Sequence, residues 1–124
     1  MKLNAGPFAM IKSGQKWVEM RLYDEKRRKI KVDDEIVFTH TDTAEALLCK
    51  VKGLCVCADF NELYRRYDKI ALGYQESETA HPQDMLAYYS QENIDVYGVV
   101  GIEVKLLPYN PFNAYLLALF EKKL

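Results

Sequence analysis

The chain has 124 residues, of which 49% are hydrophobic and 28% charged, with a net charge of −1. That length fits one domain able to bury its apolar surface in a single core without metals or cross-links, and the apolar content excludes a disordered chain. No apolar run approaches the roughly 18 residues needed to cross a bilayer, so a membrane-spanning helix is excluded as well.

The opening segment MKLNAGPFAMIKSG is interrupted by Gly6, Pro7 and Lys12 and does not resemble a signal peptide, which leads us to expect a cytoplasmic protein. A short helix is predicted from Pro7 to about Ser13, with Phe8 and Ile11 facing the core and Gly14 closing it. Next comes a strand over 17–23, in which Val18, Met20 and Leu22 alternate with Glu19, Arg21 and Tyr23. The first set should enter a core, leaving Trp17, Glu19, Arg21 and Tyr23 on the other, outward face, about 7 Å apart along the strand. Lys16 has the wrong parity for that face and joins it only if the strand begins after it, in the turn that Gly14 permits.

Residues 24–29 (DEKRRK) are too charged for a strand interior and read as a loop or a single helical turn. Asp33-Asp34 is a turn signal before a strand over Glu35 to His40, and a long strand follows from about Ala46 to Cys57, bulged at Gly53. Cys49, Cys55 and Cys57 all fall in that strand, where an odd, clustered set argues against a disulfide framework and for a reducing compartment. Asp59-Phe60-Asn61-Glu62 is a helix cap, with Leu63, Tyr64, Tyr67, Ile70 and Ala71 at helical spacing and Gly73 as terminator. Gln75 to Ala80 reads as a surface loop, 83–90 as a second helix after His81-Pro82, and 97–107 as a long strand ended by Pro108.

Asn110-Pro111 caps a last segment, 109–124, whose Phe112, Leu116, Leu119 and Phe120 form the apolar stripe of an amphipathic helix. It docks either on its own domain, giving the monomer we expect, or on a second copy, giving a homodimer. No repeat or linker divides the chain, so 1–124 is expected to be a single domain. Strands separated by one or two helices, without regular βαβ alternation, indicate an α+β fold on a mainly antiparallel, strongly bent sheet or partly closed barrel. Charge is uneven along it. Residues 1–31 hold nine basic and three acidic side chains, a net +6 against −7 for the remainder. The basic end suits an anionic partner met locally; the bland alternative is that residues 26–29 are a solvated turn.

The pattern G-x-K-x-x-E-x-R at Gly14, Lys16, Glu19 and Arg21 resembles the signature of the ASCH domain family, a branch of the PUA-like superfold. The similarity runs over about residues 5–107. It includes the helix before the motif, the charged turn and the strand entered through Val32-Asp33-Asp34-Glu35-Ile36, the long strand, the capped helix and the strand at Tyr97-Gly98-Val99-Val100-Gly101-Ile102. Asp33 stands where the family usually has a turn glycine. The resemblance implies a small β-barrel with peripheral helices and a cleft beside the motif, in which family members are thought to bind RNA or modified nucleosides. One bacterial branch hydrolyses the acetyl amide of acetylcytidine.

In such a cleft Lys16 and Arg21 would donate to a phosphate or to base carbonyls, and Glu19 would accept from an exocyclic amine or a ribose hydroxyl. Trp17, Tyr23, Tyr88 or Tyr89 would stack on a base. The alternative is that Glu19 and Arg21 only pair with each other to fix the strand. The hydrolase branch has a threonine where this chain has Glu19, so an amidohydrolase here would need Glu19 as general base on water and Lys16 to polarise the carbonyl. A further acid would come from Glu76 or Glu78. Cys55 and Cys57 with His40 and His81 read as small core residues and isolated histidines more readily than as a zinc site, so neither metal nor cofactor is expected. The reading is therefore an RNA- or nucleotide-binding domain, with a small amidohydrolase acting on a modified nucleoside as the alternative.

Overall fold

The computed structural model describes residues 1–108; the helix expected over 109–124 lies outside the described residues. Among these the chain runs β1 (Lys2–Leu3), α1 (Ala5–Ser13), β2 (Val18–Leu22), a short helical turn (Arg27–Lys29), β3 (Glu35–His40), β4 (Ala46–Cys57), α2 (Phe60–Arg66), α3 (Lys69–Leu72), a second such turn (Pro82–Ala87), α4 (Gln91–Tyr97) and β5 (Val99–Leu106). The strands form one sheet in the order β1-β3-β4-β5-β2. β1 pairs parallel to β3 and every other pairing is antiparallel. The sheet curls into a half-barrel, so that its two end strands meet: Arg21 on β2 donates from Nη2 to the carbonyl of Lys2 on β1 at 3.0 Å. The fold is α+β, with helices packed on both faces of a mainly antiparallel curled sheet.

Two apolar cores lie on opposite faces of this sheet. The concave side packs Phe8 and Ile11 of α1 against Phe38, Cys49, Val51, Val100 and Ile102. On the convex side, Val18, Met20 and Leu22 of β2 and Val99 of β5 pack against Phe60, Leu63, Leu72, Met85 and Ile94. β2 is thus buried on both faces, which corrects the expectation that Glu19 and Arg21 look outward to solvent. Glu19 is opposite Ile102 and Arg21 opposite Val100 across the β2–β5 ladder, so both side chains share the concave face with that core.

Local chemistry accounts for the remaining elements. Gly14 ends α1 with φ 86, the left-handed conformation that glycine adopts without a β-carbon clash. The bulge in β4 falls between Val51 and Gly53, as the glycine predicts. The single helix expected after Asp59 is two. Asp59 caps α2 through Glu62 N–H at 2.9 Å, then Tyr67 and Asp68 turn extended and Asp68 caps α3, which Gly73 closes at φ 104. The helix expected over 83–90 is instead the turn Pro82–Ala87. A separate helix, α4, follows under a Ser90 cap and takes in Tyr97, so β5 starts at Val99.

Candidate functional site

The motif begins where α1 stops. Beyond Gly14 the chain is stapled to both neighbours: Gln15 Nε2 donates to the Tyr74 carbonyl at 3.1 Å, Lys16 N–H to Met10 and Trp17 N–H to Ala71, each also at 3.1 Å. β2 starts only at Val18, so Lys16 is in the turn and its side chain is free of the strand's parity. Its stem crosses Gly73, where a β-carbon would come within 2.9 Å of Lys16 Cδ. Lys16 Nζ then reaches Glu19 Oε1 at 2.8 Å.

Arg21 approaches the same carboxylate from the other side. Its Nη2 and Nε donate to Glu19 Oε2 at 2.9 and 3.1 Å. Glu19 is 3% exposed and Lys16 8%. Burial alone would raise the Glu19 carboxyl, but the charges and hydrogen bonds of Lys16 and Arg21 outweigh it and hold the group below its ordinary value. The cluster is therefore one carboxylate between two cations, with a net positive charge. Both Glu19 oxygens are engaged, whereas Arg21 Nη1 and two of the three Lys16 ammonium hydrogens have no partner among the described residues.

These three side chains line a cleft of about 530 Å³, which is within the range of small-ligand sites. Tyr64, Tyr74, Asp84, Tyr88 and Tyr89 line it as well. Tyr74 donates to Asp84 Oδ2 at 2.8 Å; with its one proton so used, Tyr64 donates to Tyr74 at 2.7 Å. Burial, the Tyr64 hydroxyl and the Asp84 carboxylate raise Tyr74 above an ordinary phenol, so the chain of hydroxyls stays protonated. Tyr89 stacks on Phe60 at 6.0 Å. Tyr88 is 68% exposed.

Of the residues singled out from sequence, Lys16, Glu19, Arg21, Tyr88 and Tyr89 come together in this cleft, and Glu78 reaches its lining while Glu76 does not. Tyr23 is elsewhere, beneath the Arg28 guanidinium at 4.4 Å. Trp17 opens onto a separate depression. The basic run is not part of the cleft: Arg27 pairs with Asp24 at 3.0 Å and Arg28 donates to the Tyr97 carbonyl at 3.3 Å. Sequence reasoning missed Lys2, Tyr64, Tyr74 and Asp84 as lining residues. Tyr64 carried a signal in its place on the capped helix, but nothing local marks Lys2, which arrives only because the sheet curls. Burial pushes the Cys49 thiol up to about 12, as suits a core residue. No group of three or more His, Cys, Asp or Glu placed to hold a metal ion occurs among the described residues.

The family model of the ASCH domain matches residues 1–108. Two solved structures are similar. One is a crystal structure of hypothetical protein PH0355, 30% identical, covering 86% of this chain and 100% of that one with a TM-score of 0.68. The other is the solution NMR structure of protein PF0455 from Pyrococcus furiosus, 31% identical over 88% of this chain and 100% of that one, TM-score 0.59. No curated protein matches the chain.

Proposed function

We propose that this chain, which belongs to the ASCH domain family, binds RNA or a nucleotide-like ligand in the cleft built on Lys16, Glu19 and Arg21. The observation that carries the reading is the buried, net-positive cluster in a cleft that also holds an exposed tyrosine. The unused donors of Lys16 and Arg21 suit phosphate or base carbonyl oxygens, Asp84 retains an acceptor oxygen for an amine or ribose hydroxyl, and Tyr88 offers a ring for stacking. In this reading Glu19 is a positioning residue: it fixes the two cations and does not itself need to touch the ligand. The reading extends to a single-domain, monomeric, cytoplasmic protein; among the described residues no helix is long and apolar enough to cross a membrane.

The amidohydrolase alternative has less support. A general base works best with a pKa near the working pH, whereas the two cations that Glu19 accepts from hold its carboxyl low. Titration of nucleotides and short RNA at defined salt, with wild type, Tyr88→Ala and Arg21→Lys, tests the binding reading. Tyr88→Ala removes an exposed ring and should weaken binding by about 5- to 150-fold, the equivalent of one stacked base. Unchanged affinity in both variants would sink it.

A further inference from the structure

We infer that the depression around Trp17 is a second base-binding subsite, so that the ligand is single-stranded RNA and not a free nucleoside; the inference rests on the cleft reading above. Trp17 is the only tryptophan in the chain and is 42% exposed. It is nevertheless rigidly mounted. Its ring meets Tyr67 edge to face, with centroids 5.7 Å apart, and the Tyr67 hydroxyl donates to Glu103 Oε2 at 2.7 Å. Glu103 is seated against Gly53, where a β-carbon would come within 3.0 Å of its carboxylate. An indole braced this way and left open to solvent is a stacking platform.

Charge around the platform supports a phosphate backbone. Lys52 and Lys105 line the same depression, both exposed and neither side chain with an ion pair or hydrogen bond among the described residues. Lys52 is the bulge residue of β4, left out of the register between Val51 and Gly53. With the Lys16 ammonium committed to Glu19, Lys52 and Lys105 still outnumber Glu103, the one carboxylate among the described residues lining the depression, so it is net positive on a molecule whose net charge is −1. Lys16 lines both the cleft and this depression, which makes the two adjacent across one residue. A strand with one base in the cleft can therefore pass its phosphate over Lys16 and stack the next base on Trp17. Lysines alone would equally suit an acidic peptide; the open indole in the same depression favours a base.

The lone tryptophan reports on its own site. Adding a single-stranded hexauridylate should quench Trp17 emission, whereas uridine monophosphate should bind the cleft without quenching. Trp17→Ala should weaken hexauridylate binding by about 5- to 150-fold and leave monophosphate affinity unchanged. Trp17→Phe should retain most of the affinity, and Lys52→Gln with Lys105→Gln should flatten its salt dependence. If hexauridylate binds no tighter than the monophosphate and Trp17→Ala changes neither, this inference falls while the cleft reading stands. If hexauridylate quenches Trp17 with full affinity in Tyr88→Ala, the Trp17 site stands and the cleft reading falls. Quenching by an oligoglutamate peptide but not by RNA overturns the RNA assignment.

Discussion

The aliphatic stem of Lys16 passes over Gly73 with no room for a side chain between them: a β-carbon at residue 73 would be 2.9 Å from Lys16 Cδ. Gly73 closes α3 in the left-handed conformation, at φ 104, so one residue both ends a helix and admits the lysine to the cleft. Gly73→Ala therefore carries two penalties, the backbone strain of about 1–2 kcal/mol and displacement of Lys16. Gly14→Ala, at φ 86 with nothing within 4 Å, carries only the first. Chemical denaturation should show Gly73→Ala as the more destabilised of the two, and nucleotide titration should show that it alone weakens binding. Equal behaviour of the two variants would contradict the contact.

Glu19 is the counter-charge for both cations. Replacing it by Gln leaves two largely buried positive groups without an anion, and we expect a loss of about 3–5 kcal/mol in unfolding free energy at neutral pH. The pH dependence has a definite sign. Because the folded-state carboxyl lies below its ordinary value of 4.5, the stabilisation is present above that pH and is lost as pH falls below it through the folded value. Urea midpoints of the wild type should therefore fall on acidification, and Glu19→Gln should show a shallower fall. Parallel curves would mean that Glu19 is not the linked group.

Incubation with acetylcytidine should release no cytidine. Glu19 Oε1 keeps a lone pair, but Lys16 and Arg21 hold the carboxyl below its ordinary value, which makes it a weak base toward water at neutral pH. Release by the wild type that Lys16→Ala abolishes, followed chromatographically, would show that the alternative deserves the site after all.

Asp33 has φ 77, a conformation that favours glycine. Asp33→Gly should be neutral or stabilising by up to about 1 kcal/mol, whereas a β-branched Asp33→Val should be destabilising. Thermal unfolding of the two variants checks the order; a Val variant as stable as the Gly variant would refute it.

How much of this was legible in the sequence depended on how local each determinant is. Gly14, Gly53, Gly73 and Asp59 act within a turn of chain, and each does what its residue type predicts. The break at Tyr67-Asp68 was hidden because Leu63, Tyr64, Tyr67, Ile70 and Ala71 keep helical spacing across it; the second cap, Asp68, was the only sign. α4 buries Ile94 alone, too little apolar periodicity to register, although Ser90 caps it through Asn93 N–H at 3.1 Å. The burial of Glu19 was not readable. Alternation reports which residues share a face, and it cannot report that the second face closes over a barrel interior. That closure, and with it the arrival of Lys2 beside Arg21, is set by pairings between strands far apart in sequence.

The ligand is expected to sit on the Lys16–Glu19–Arg21 cluster. Amide chemical-shift mapping during titration with a nucleoside monophosphate addresses it most directly. Perturbations are expected at Lys16, Glu19, Arg21, Tyr88 and Tyr89, with Tyr23 and Arg28 unmoved. Shifts confined to the Arg27–Lys29 turn, or none at saturating nucleotide, would contradict it.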